Sequence, residues 1–109
     1  MFMIMFVLDD STYLDQILEA WKSIQISGVT IIESTGLYRR LKKHIPLRYT
    51  FGNEQQEENG NITLFAIVKD ETIIEKCLQK TELIVGDLNL PNTGVFAAWP
   101  LTIVKGVPA

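Results

Sequence analysis

The sequence predicts an α+β domain in the order strand, helix, strand, strand, helix, strand, and three observations carry that expectation. An unbroken apolar run, Met1 to Leu8, opens the chain. Two later segments place their apolar residues three and four apart, around Leu14–Ile24 and Ile73–Leu78, the spacing of one helix face. Short runs rich in β-branched residues, Val29–Ser34 and Asn61–Val68, punctuated by glycine and polar residues, supply further strands. With 109 residues, 47% hydrophobic and 21% charged, the chain fits one globular domain, 1–109, and leaves no room for a second.

Each element has a local cause. Met1–Leu8 is apolar on both faces, as expected of a central strand covered by helices on one side and by a partner surface on the other. Asp9, Asp10 and Ser11 offer capping oxygens to the first helix, expected from Thr12 to about Ile26 with Leu14, Ile17, Leu18, Trp21 and Ile24 inward. Ser27-Gly28 is expected to stop it, and Val29–Ser34 to form the next strand, closed by Thr35-Gly36. After the Asn61–Val68 strand, Asp70 caps a second helix whose inner face holds Ile73, Ile74, Cys77 and Leu78. Gly86 to Gly94 is rich in turn residues. Val95–Trp99 is the last clear strand, and the tail through Ile103, Val104 and Lys105 is a candidate edge strand. Right-handed crossovers put both helices on one face of an antiparallel sheet, the ferredoxin-like sandwich.

Between the second and third strands lies a long segment, 37–60, with little periodicity. It holds a basic cluster (Arg39, Arg40, Lys42, Lys43, Arg48), then Glu54, Glu57 and Glu58. Connections this long in small domains are usually functional or mobile. A net charge of −3 and the acidic flank argue against a nucleic-acid binder. One cysteine, Cys77, excludes an internal disulfide, and its place on a helix's inner face suits packing better than reactivity. The opening apolar run lacks a basic leader and is too short to span a bilayer, which points to the cytoplasm. No catalytic constellation stands out, so the chain is expected not to be an enzyme. His44, the only histidine, sits in the basic loop, and Asp9 and Asp10 are explained by capping. Glycines with nearby hydroxyls or cations, at Gly28 and Thr30 and again from Gly86 to Gly94, are the features suited to phosphate oxygens.

Four stretches, in order, resemble the nitrogen-regulatory PII superfamily, specifically its divergent PII-like members. They are the opening Ile4…Val7-Leu8 strand; Ser27-Gly28-Val29-Thr30-Ile31-Ile32-Glu33, with Gly36 and Arg39 after it; the 37–60 segment in the place of the T-loop; and Val85-Gly86-Asp87 followed by Thr93-Gly94-Val95-Phe96-Ala97-Ala98-Trp99-Pro100. The resemblance implies a homotrimer with sheets facing inward and clefts between subunits that hold a small effector, with adenine nucleotides (ATP, ADP or AMP) as candidates. It also implies a loop, 37–60, that engages a protein target such as a transporter or an enzyme, with no nucleic acid and no membrane-embedded part. Residue by residue, it places Gly28 and Thr30 near the adenine, Gly36 and Arg39 at the T-loop base, and Gly86, Asp87, Thr93 and Gly94 in the phosphate-binding loop, with Lys105 the one cation after the last strand.

The departures are specific. The family's Gly-Asp-Gly-Lys is interrupted by Leu88 to Thr93, the arginine pair after the last strand is absent, and Arg40 replaces a glutamine. Losing two or three charge-assisted phosphate contacts, roughly 1.5–3 kcal/mol each, predicts ATP binding weakened several thousandfold. The alternatives on the same fold are a ligand-independent trimeric interaction protein and a CutA-like metal-tolerance protein.

Overall fold

The computed structural model of the protein describes residues 1–26, 28–34 and 61–107. Its elements are β1 (Phe2–Leu8), α1 (Leu14–Ser23), β2 (Val29–Ser34), β3 (Asn61–Val68), α2 (Glu71–Val85) and β4 (Gly94–Pro100), with a short 3-10 turn, Ser11–Tyr13, leading into α1. The strands form one antiparallel sheet in the order β2-β3-β1-β4, so the apolar opening strand is central, as expected.

Strand side chains alternate between faces, and the register sorts them. Phe2, Ile4, Phe6 and Leu8 lie beside Val68, Ala66, Leu64 and Ile62 on one face. Both helices cover that face: the core joins Ile4, Phe6, Leu8, Leu64 and Ala66 to Ile17 and Trp21 of α1 and Cys77 of α2. Trp21 is fully buried, which bears out the helical stripe read from the sequence.

The helix ends follow from capping chemistry. Asp10 accepts hydrogen bonds from the Thr12 amide at 3.0 Å and the Thr12 hydroxyl at 2.7 Å. Asp70 accepts from the Ile73 amide at 3.1 Å, the N-cap its position predicts. At its far end α1 stops at Ser23, three residues before the expected Ile26. The Ile26 amide donates to the Trp21 carbonyl and the Gln25 amide to the Lys22 carbonyl, both at 3.0 Å, with Gln25 left-handed at φ 70°. This is a Schellman closure, and it folds the buried Ile26 back onto the same core as Trp21. Ile26 thus belongs to the core through the cap rather than through the helix.

The tail also differs from expectation. Residues 101–107 form no strand; the Leu101 amide donates to the Met1 carbonyl at 2.9 Å, which carries the chain past the start of β1 rather than back along the outer edge of β4. Among the described residues no helix is long and apolar enough to cross a membrane.

Candidate ligand site

The second sheet face has no helix. The same alternation places Met3, Met5 and Val7 on it, flanked by Ile67, Phe65 and Thr63 from β3 and by Trp99, Ala97 and Val95 from β4, with Thr30 and Ile32 at the β2 edge. Val95 is 55% exposed, Ile32 46% and Trp99 41%. Large apolar side chains gathered on one exposed surface mark an interaction face rather than a solvated one.

A cleft of about 700 Å³ opens at the end of the sheet where β1 and β2 begin and β3 ends. Met1 and Met3 line it from the start of the chain and β1, Gly28, Val29 and Thr30 from the entry to β2 and its first residues, and Phe65 to Lys69 from the end of β3 and the residue after it. Gln25 and Ile73 close it on the helix side, and Gly106 and Val107 bring the tail to it. Because β4 and β2 are opposite edges of the sheet, the tail crosses about 14 Å, three strand spacings, to get there.

The Gly86–Gly94 segment lies at the other end. Leu8 pairs with Gly94, whereas Phe2 pairs with Val68 at the cleft end. The two ends are separated by the length of β1, about 20 Å at the usual strand rise. Several of the segment's polar groups are engaged locally. Gly86 ends α2 at φ 94°, and its amide bonds the Glu82 carbonyl. The Leu88 amide donates to the Glu82 carboxylate at 2.9 Å, and the Asn89 amide to the Asp87 carboxylate at 2.9 Å. The Leu90 amide bonds the Asp87 carbonyl, and the Thr93 hydroxyl donates to the Leu90 carbonyl at 2.8 Å. Gly94 has a purely steric reason to be glycine: at φ 138° an added Cβ would strike the Val7 carbonyl oxygen.

The residues singled out in the sequence therefore fall into groups. Gly28 and Thr30 line the cleft, and Lys105 immediately precedes its Gly106 wall. Gly86, Asp87, Thr93 and Gly94 cluster together, but at the opposite end of the subunit. Gly36, Arg39 and the 37–60 segment, with His44 and the basic cluster, lie outside the described residues. Lys69 was not foreseen as part of the site: among the described residues it has the one charged side chain in the cleft lining, set where β3 turns toward α2. A lone lysine ahead of a helix cap reads in sequence as turn polarity, and only the fold puts it in the same cleft as Thr30.

A four-stranded antiparallel sheet in this order, with two helices on one face, defines a ferredoxin-like α+β subunit, and solved PII-type structures share it. A Thermus thermophilus protein described as a PII-like signalling protein superposes with TM-score 0.57 at 18% identity, covering 90% of this chain and 82% of that one. B. subtilis GlnK superposes with TM-score 0.54 at 11% identity, covering 93% and 84%. The chain has the PII-like fold. No protein-family model and no curated protein matches the sequence.

Proposed function

We propose that the protein is a cytoplasmic regulatory subunit of PII-like type, not an enzyme, that assembles as a homotrimer through its open sheet face. It binds a small effector in clefts between subunits, adenine nucleotides being the family's candidates, and controls a protein target through segment 37–60. The observation that carries this reading is the separation of the two candidate half-sites. Gly28 and Thr30 stand at one end of the sheet and Gly86 to Gly94 at the other, about 20 Å apart. One subunit cannot close both around a small molecule, whereas neighbouring copies packed through their open faces can bring one end of each together. The fold shared with PII-like signalling proteins supports the same reading.

Two measurements on the full chain test it. Light scattering is expected to return a trimer. A thermal-shift panel of ATP, ADP, AMP, cyclic nucleotides, bicarbonate and 2-oxoglutarate is expected to give one saturable rise, because a ligand specific for the native state stabilises it by mass action. A monomer would overturn the assembly. An intact trimer that no compound stabilises would favour the ligand-independent interaction protein, a reading to which the internally engaged amides of Leu88 and Asn89 lend weight. The CutA-like metal reading gains no support, since no three potential ligands cluster among the described residues.

A further inference from the structure

We propose that the cleft beside Gly28 takes a small aromatic molecule with one anionic group, bound by Lys69, in place of a polyphosphate; this rests on the ligand-binding reading above. The cleft, at about 700 Å³, is within the range that encloses a drug-sized molecule. Its lining is mainly apolar and polarisable, with the thioethers of Met1 and Met3, the Phe65 ring, Ile67, Ile73 and Val107. Thioethers and an aromatic ring favour a flat, polarisable body. Gln25 and Thr30 add neutral hydrogen-bonding groups.

The charge count sets the rest. Among the described residues Lys69 has the only charged side chain in the lining, and it has no ion-pair partner there. The neighbouring acids do not line the cleft: Asp70 caps α2 through the Ile73 amide, and Glu71 is exposed on its first turn. Its ammonium side chain, with the amino group of Met1 also in the lining, suits a single anionic group. Charges placed deeper than Lys69, against the apolar wall, would lose water without gaining a partner, which is strongly unfavourable. A neighbouring copy's Gly86–Gly94 end would not supply the missing cations. There, carboxylates of Glu82 and Asp87 already occupy the Leu88 and Asn89 amides, so a polyphosphate would meet negative charge at the place where it needs donors.

Amide NMR titrations of the assembled full chain with naphthoate, with its neutral isostere naphthamide, and with ATP test the proposal. Naphthoate is expected to shift the Gly28, Thr30, Lys69 and Gly106 amides with a Kd about tenfold below that of naphthamide, the worth of one charge-assisted contact. Lys69→Gln is expected to erase that preference and Lys69→Arg to keep it. Both should retain the wild-type melting temperature, because Lys69 is exposed beyond the end of β3. Equal binding of naphthoate and naphthamide, or a preference that survives Lys69→Gln, overturns the assignment. ATP moving the same amides at lower concentration than naphthoate overturns it too, but leaves the ligand-binding reading standing. Silence from all three compounds in an intact assembly overturns the assignment and leaves the ligand-binding reading to the thermal-shift panel.

Discussion

Thr81 sits in the interior of α2, fully buried, where a hydroxyl is costly unless it is paired. Its partner comes from the other helix: the Trp21 indole N–H donates to the Thr81 hydroxyl oxygen at 2.9 Å. Trp21 in turn packs its ring 6.3 Å from that of Phe6 on β1, so one side chain ties both helices to the sheet. Thr81→Val keeps the shape and orphans the indole N–H; it is expected to lower stability by about 1–3 kcal/mol, read from the urea midpoint. One turn earlier, burial pushes the Cys77 thiol up to about 12, against a smaller downward pull from its hydrogen bond to Thr81. The unfolded thiol ionises near 9.0. As pH rises above that value the unfolded state loses its proton first, so stability falls with pH until the folded thiol also ionises. The slope reaches at most about 1.4 kcal/mol per pH unit. Urea unfolding of wild type and Cys77→Ala across about pH 8 to 10.5 is expected to show the steeper decline in wild type; parallel declines would mean the thiol is not held in its neutral form.

At the scale of elements, the strands were the most legible part of the sequence. Val29–Ser34 and Asn61–Val68 carry runs of β-branched residues between polar or glycine boundaries, and the observed strands have those limits. The end of α1 was not legible, because the apolar stripe continues through Ile24 while the stop signal, Gly28, lies later. The backbone instead turns at Gln25, which accepts a left-handed conformation that favours glycine. Gln25→Gly is therefore expected to raise stability by about 0.5–1 kcal/mol, the left-handed penalty less glycine's extra chain entropy. A matching rise in the thermal midpoint checks it, and a fall would mean that the Gln25 side chain itself is stabilising. The cleft was legible only in part for a related reason. Gly28 and Thr30 carry local signals, but Lys69 and the tail residues Gly106 and Val107 reach it through the crossing of the sheet end, which no spacing in the sequence encodes.

For the molecule as a whole, the informative asymmetry is between the two faces of one sheet. Helices bury Ile4, Phe6 and Leu8 completely, while Met3, Met5 and Val7 on the same strand stay half-buried because nothing among the described residues covers them. The two-sided apolarity of Met1–Leu8 already implied such a face; what covers it could not be read, since a partner surface leaves no local pattern in this chain. Met5 is the residue to test, because it lies on the central strand with Phe65 opposite on β3 and Ala97 opposite on β4. In an isolated subunit Met5→Asp leaves the helix-covered core untouched, and its carboxylate keeps access to water. In an assembly closed over this face, each subunit would bury an unpaired charge, costing on the order of several kcal/mol. The variant is expected to be monomeric by light scattering with an unchanged helical circular dichroism signal. Lys22→Asp, on the solvent side of α1, is the matched control and is expected to leave the oligomer intact. If Met5→Asp still assembles like wild type, the open face is not the interface, and the two ends of the sheet must be joined in some other way or not at all.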